Sequence, residues 1–189
     1  MDGVLVDSLD AWLESLNQAL QAHGIKEITR EEFITIYWGH DLMDNLKKMG
    51  LPEEIGTFCN TRYGEHLNAI HIYPDTKKTL KQLSSYKKAV ITNTPRDCAQ
   101  KILEQFNIDQ YFQEIVTSDQ LTHAKPSPEG ILKACALLGV EPASAIIIGD
   151  TDSDVKAGRA AGCTVVGINV DADIRISRLS ELLPLLAKL

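Results

Sequence analysis

"AIIIGDTDSDVKAGRAAG" (residues 145–162) decides how the chain is read. Three consecutive isoleucines between Ala145 and Gly149 form the short apolar run of a strand buried on both faces. Asp150, Asp152 and Asp154 crowd the turn that follows, and a helical pattern from about Asp154 to Ala161 is stopped by Gly162. A buried strand, an acidic turn and a helix in immediate succession are half of a βαβ unit.

The same grammar recurs through the C-terminal two thirds. "KKAVITN" (87–93), "EIVTSD" (114–119) and "TVVGINV" (164–170) read as further buried parallel strands. Pro95 precedes "RDCAQKILEQF" (96–106), and Ser127 and Pro128 precede "EGILKACALLG" (129–139), the punctuation of helix starts. Strand and helix alternating in this way predict an α/β fold, a doubly wound parallel sheet with right-handed crossovers and helices on both faces.

Residues 9–73 follow another pattern and are expected to be helical throughout, with no strand. "LDAWLESLNQALQAHG" (9–24) sets Leu9, Trp12, Leu13, Leu16 and Leu20 on one face and ends at Gly24. Thr29 to Phe33 carries a capping-box start, and Pro52 opens a helix that ends near Ile70. This helical module interrupts an α/β core formed by residues 1–8 and 74–189, re-entering it at a helix beginning near Asp75.

Composition narrows the function. A chain of 189 residues, 44% hydrophobic and 24% charged, buries a full core. Its net charge of −7 argues against nucleic acid or an anionic membrane surface as the main partner. No apolar run approaches the roughly 20 residues that span a bilayer, and no basic, apolar leader opens the chain, so the cytoplasm is the expected location. Cys59, Cys98, Cys135 and Cys163 are widely spaced and read as reduced thiols.

Ligands of doubly wound sheets bind beyond the carboxyl ends of the strands. Asp2 stands in the first turn, Thr92 and Asn93 end "AVITN", Lys125 lies in "HAKPSPE" (123–129), and Asp150, Asp152 and Asp154 follow "AIIIG". Singly, each has a plain explanation: an Asp after a strand is often an Asx-turn residue, Thr92 a strand-end hydroxyl, Lys125 a solvated loop lysine. Together, three carboxylates (Asp2, Asp150, Asp154) against one lysine would repel strongly without a cation among them, and a hard divalent ion, Mg2+, meets that need. Thr92 and backbone N–H groups would hold phosphate oxygens. Lys125 would place its charge on the group being transferred, and its removal is expected to lower turnover while leaving thermal stability little changed.

These residues resemble the four motifs of the haloacid dehalogenase superfamily, in the branch of phosphoglycolate phosphatase-like and β-phosphoglucomutase-like proteins. "DGVLVDS" (2–8), the Thr92 strand end, "KPSPE" (125–129) and "GDTDSDVKAGRAAG" (149–162) stand in the family's order across nearly the whole chain. The resemblance implies a Rossmannoid core with a helical cap at residues 9–73. It also implies a Mg2+-dependent phosphatase that works on a small phosphorylated metabolite through an aspartyl phosphate, as a monomer or homodimer. By the same resemblance Asp2 is the general acid and base and lends a backbone carbonyl to the metal. Thr92, Asn93 and Lys125 bind phosphate, and Asp150 and Asp154 hold the metal or its waters. "YWGHDL" (37–42) sits where substrate-facing cap loops lie, which makes His40, Trp38 and Arg62 contact candidates beside the plainer reading of Trp38 as cap core and Arg62 as helix surface.

One departure matters. The family's first motif is DxDG, with the first Asp the nucleophile; here Asp2 matches the second Asp and Met1 the intervening position, so the nucleophile falls just ahead of Met1. An apolar strand ending in Asp is expected there, between the "AVITN" and "AIIIGD" strands, and its absence leaves a gap to be filled by swapping or dimerising. Asp7 is the first substitute nucleophile. A phosphosugar mutase and a non-catalytic binder of phosphate or a partner protein are the competing functions. A dehalogenase has no use for a magnesium and phosphate site, and a phospho-acceptor receiver domain would lack both the helical insertion and the late "GDTDSD".

Overall fold

A computed structural model of the chain describes residues 1–186. Its element order begins with β1 (Val6–Asp7), α1 (Leu9–Ala22), α2 (Arg30–Glu32), α3 (Leu42–Lys48), α4 (Glu53–Glu65), β2 (His71–Ile72) and α5 (Thr76–Gln82). It continues with β3 (Ala89–Thr92), α6 (Arg96–Gln105), β4 (Glu114–Thr117), α7 (Glu129–Leu138), β5 (Ile146–Gly149), α8 (Asp152–Ala161), β6 (Thr164–Ile168), β7 (Ile174–Ile176) and α9 (Leu182–Leu186). The architecture is the expected α/β one: the isoleucine and valine runs are buried or half-buried, with no exposed position in β3, β4, β5 or β6. All four apolar runs form strands, and α6 and α7 start after Pro95 and Pro128 as expected. No helix among the described residues is long and apolar enough to cross a membrane.

β3 pairs with β4 in parallel, Ala89 opposite Glu114 through Thr92 opposite Thr117. β5 pairs with β6, and β6 with β7, also in parallel. The two ladders do not join: β3 and β5 present facing edges without a strand between them. The gap is a cavity of about 460 Å3 lined by Val90 and Ile91 on one side, Ile147 and Ile148 on the other, and capped at one end by Met1. Ile131 and Ala134 of α7 cover one layer, and Leu80 and Leu83, at the end of α5, are also among its walls.

The region read as helical throughout needs one correction. His71–Ile72 is a strand, paired antiparallel with Val6–Asp7 where the chain leaves and re-enters the core. Two residues carry no period of their own, so only the partner strand makes them extended. The helix opened at Pro52 ends at Glu65, and a 3-10 turn, Leu67–Ala69, completes the span to Ile70. The Thr29 capping box forms as expected: the Thr29 hydroxyl accepts from the Glu32 N–H at 3.2 Å, and the Glu32 carboxylate accepts from the Thr29 N–H at 2.7 Å. The helix it opens passes at once into a π-helical turn over Phe33–Tyr37. β7 and α9 were not anticipated, and α8 starts two residues earlier than expected, at Asp152.

Three apolar clusters result, the smallest of them Ile131, Cys135, Ala157, Ala161 and Cys163 between α7 and α8. Leu16, Leu20, Phe33, Leu46 and Ile55 pack inside the helical unit. Val90, Ile102, Leu103, Ile108 and Val166 pack in the α/β part. Trp12 touches the two larger clusters and stacks on Tyr63 with ring centroids 3.8 Å apart. The four cysteines are free and buried.

The walls of this cavity are mostly apolar, and burying an apolar segment against them would remove that surface from water. An apolar strand of five or six residues ending in Asp, joined ahead of Met1, is therefore expected to raise the melting midpoint by roughly 10 °C or more. A Gly/Ser leader of equal length should leave it unchanged, and equal melting of the two fusions would show that the gap does not accept a strand.

Candidate active site at the strand ends

The carboxyl ends of β3 and β5 open onto a second, smaller cavity of about 80 Å3. Its walls include Asp2, Thr92, Asn93, Lys125, Asp150 and Asp154 from the core and Trp38 and His40 from the helical unit. Arg62 is elsewhere: it bonds Glu65 at 2.6 Å and lies over the Phe58 ring, on the helix surface. Asp7 is exposed on the β1–β2 pair and does not line the cavity, so it is not placed to act as a nucleophile.

The first turn after Met1 is tight, with the N–H groups of Val4, Leu5 and Val6 all directed at the Met1 carbonyl. Gly3 has φ +70, and a Cβ there would lie 1.9 Å from Asp150 Oδ2, so only glycine lets the two acidic turns meet. Asp2 is held by four hydroxyls. Ser8 and Tyr63 donate to Oδ1, Tyr63 at 3.3 Å, while Thr92 and Thr94 donate to Oδ2 at 3.1 and 2.9 Å.

Lys125 reaches Asp154 Oδ1 at 2.6 Å, with both side chains nearly buried. Burial opposes the Lys125 ammonium, but the charge of Asp154 and the hydrogen bond to it outweigh this and hold its pKa above the ordinary lysine value. Burial likewise opposes the Asp154 carboxylate, and Lys125 outweighs it and holds that pKa low. Asp154 Oδ2 accepts from the Thr151 N–H and hydroxyl at 3.1 and 2.7 Å, completing a capping box at the start of α8. Lys125 is thus no solvated loop residue. The expectation that its loss would leave stability little changed is corrected, since breaking a buried pair of this kind costs about 3–5 kcal/mol.

Asn93 joins two loops: its amide accepts from the Lys125 N–H at 3.3 Å and donates to the Gly39 carbonyl at 3.5 Å. The His40 ring sits 3.4 Å from the Ser153 hydroxyl, and burial, then Lys48 and Lys156, keep its pKa below the ordinary value. Asp152 points away and pairs at the surface with Lys156.

The three carboxylates do not gather into one metal-ligating cluster; among the described residues no group of three or more His, Cys, Asp or Glu does so. Asp2 is drawn toward the threonines and Asp154 toward Lys125, while Asp150 accepts from the Trp38 indole N–H and, among the described residues, forms no salt bridge. Burial, followed by the charge of Asp154, lifts Asp150 to about 6. Such a sparse donor set fits Mg2+, which takes one or two carboxylates and completes its shell with water and phosphate oxygens. Thr94, Tyr63 and Ser8 escaped the sequence reading. Thr94 had a signal, because Thr92 and Thr94 alternate at a strand end and so face the same way; Tyr63 and Ser8 had none.

The family described as haloacid dehalogenase-like hydrolase matches residues 1–168. A phosphoglycolate phosphatase of Aquifex aeolicus is 33% identical, the alignment covering 98% of this chain and 93% of that protein. A phosphoglycolate phosphatase of Haemophilus influenzae is 32% identical over 89% of this chain and 82% of its own length. The crystal structure of a predicted phosphoglycolate phosphatase from Haemophilus somnus is 27% identical and superposes with a TM-score of 0.82, covering 98% of this chain and 95% of that one.

Asp150 gives the metal-free site a pH signature. Its folded pKa of about 6 lies above the ordinary 3.8, so its protonated form favours the fold. That contribution is complete below about pH 4 and is lost as pH rises through about 6, a difference of up to about 3 kcal/mol. Asp150→Asn is therefore expected to be more stable than the parent by about 1–3 kcal/mol at pH 7.5 in chelator, and equal to it near pH 4. Urea denaturation at both pH values measures this, and a variant no more stable at pH 7.5 would refute the charge excess.

Proposed function

This chain belongs to the haloacid dehalogenase-like hydrolase family, and from that premise we propose that it is a Mg2+-dependent phosphatase of small phosphorylated metabolites that works through an aspartyl phosphate. The relatives named as phosphatases support the coarser statement, hydrolysis of phosphate esters, which is the activity of this chain. One observation carries the finer reading. A buried ammonium, a strand-end threonine and two acidic turns face one small cavity at the carboxyl ends of β3 and β5.

In this reading the nucleophile is a carboxylate immediately ahead of Met1, and its oxygen attacks phosphorus. The ester oxygen leaves with a proton from Asp2. Asp2 then takes a proton from the water that attacks phosphorus, the acyl phosphate bond breaks, and the nucleophile returns as a carboxylate and Asp2 as an acid. Four hydroxyl donors keep the Asp2 side chain in the wall of the small cavity, where this reading puts the leaving oxygen. Thr92 and Asn93 bind phosphate oxygens, and Lys125, kept charged by Asp154, opposes the charge on the transferring group. Asp150 and Asp154, with the Asp2 backbone carbonyl, would hold Mg2+. When bound, the ion would neutralise phosphate and carboxylate charge.

The test is hydrolysis of p-nitrophenyl phosphate with and without Mg2+, by this chain and by the form extended with an Asp-terminated strand. Metal-dependent turnover is expected in the extended form. Asp150→Asn should lower its kcat by about 100-fold or more, whereas Asp152→Asn should leave it within about threefold. Equal losses would displace Asp150 from the metal site. Full turnover by the chain without the strand would place the nucleophile elsewhere.

A further inference from the structure

We propose that Trp38 is a positioning residue for Asp150, so that the acidic edge of the core takes its working geometry only when the helical unit is seated on it. The inference rests on the reading of Asp150 as a metal ligand. Trp38 follows the π-helical turn, and its indole N–H donates to Asp150 Oδ2 at 3.1 Å, across a separation of 112 residues. Among the described residues no other side-chain donor is bonded to that carboxylate. An indole N–H is donor-only, so its place fixes which oxygen is taken and which is left for a ligand.

The neighbours of Trp38 hold the same loop down. Gly39 lies against Thr151, and with φ +79 a Cβ there would fall 2.5 Å from Thr151 Cγ2. Its carbonyl accepts from Asn93, and the His40 ring faces Ser153. Three consecutive residues of the helical unit thus meet residues 150, 151 and 153 of the core turn. Trp38 is itself kept in place by an edge contact with Phe33, ring centroids 5.9 Å apart. With its only donor committed to Asp150, Trp38 serves the ligand carboxylate and has no N–H left for a substrate. A partner that orients a metal ligand typically changes metal affinity by 10–100-fold when removed.

Isothermal titration of Mg2+ into the parent, Trp38→Phe and Gly39→Ala is the test. Phe keeps the ring against Phe33 and removes the N–H; Ala keeps the indole and lifts the loop from Thr151. Both are expected to bind Mg2+ at least about tenfold more weakly than the parent. Mg2+ binding by either folded variant within twofold of the parent overturns the proposal. A parent that takes up no Mg2+ overturns the metal reading and the inference with it. Hydrogen exchange in metal-free protein gives a second readout: Asp150→Ala should speed exchange of residues 37–42 by about tenfold while leaving α7 unchanged. Unchanged exchange at 37–42 would show that Asp150 does not hold the loop and would overturn the proposal as well.

Discussion

The buried pair of Lys125 and Asp154 is the interaction on which the arrangement of the site depends. Neither charge is tolerable there alone, because desolvation of a single ion costs several kcal/mol. At 2.6 Å each supplies the other's counter-charge. The pair ties the loop after β4 to the turn after β5, so two loops from opposite halves of the sheet are held where no strand ladder joins them. Asp154 also caps α8 through Thr151, so the same carboxylate sets the helix start and the lysine position. The consequence is electrostatic: Lys125 pairs with Asp154 and not with Asp150, and burial, followed by the charge of Asp154, raises the Asp150 pKa.

The division of the sheet follows from the same chain segments. β3 and β5 are apolar on both faces and covered by helices in both layers, so they are built as interior strands, yet each is paired on one side. Interior edges without partners leave backbone groups unsatisfied, at about 1–3 kcal/mol for each buried one. The Lys125 ammonium, 3.4 Å from the Ile91 carbonyl, attends to one of them. The gap is walled mainly by apolar side chains, with Ser85, Lys87, Lys88 and Ser144 among its polar lining, and its apolar part suits an extended apolar segment.

What could be read from the sequence was what a local pattern encodes. The isoleucine run at 146–148 is a strand whatever surrounds it, and Pro95, Pro128, Thr29 and Gly162 mark helix ends by local stereochemistry. The residues around the small cavity were legible for a related reason: strand ends and the turns after them bring Thr92, Lys125 and Asp150 to one edge by topology. What escaped is set by partners distant in sequence. His71–Ile72 is extended only because Val6–Asp7 lies beside it, and Tyr63 reaches Asp2 across 61 residues. The burial of Lys125 escaped too, since a lysine before a proline in a polar loop carries no mark of the carboxylate waiting for it.

Those long-range contacts give the helical unit a part in the chemistry of the core. It sends Tyr63 to Asp2 from α4, and Trp38 to Asp150 from the turn beyond the π-helical segment. Trp12, stacked on Tyr63 and packed in the two larger apolar clusters, fixes the first of these contacts, and Phe33, at the edge of Trp38, supports the second. Each donor leaves one carboxylate oxygen of its acidic turn committed, and together they determine how the two turns face the cavity between them. A displacement of the helical unit by a few ångströms would break both bonds at once, because a hydrogen bond is lost beyond about 3.5 Å. The two acidic turns are therefore contacted from both sides: the core supplies the carboxylates, and residues 38 and 63 of the helical region supply a hydrogen-bond donor to each.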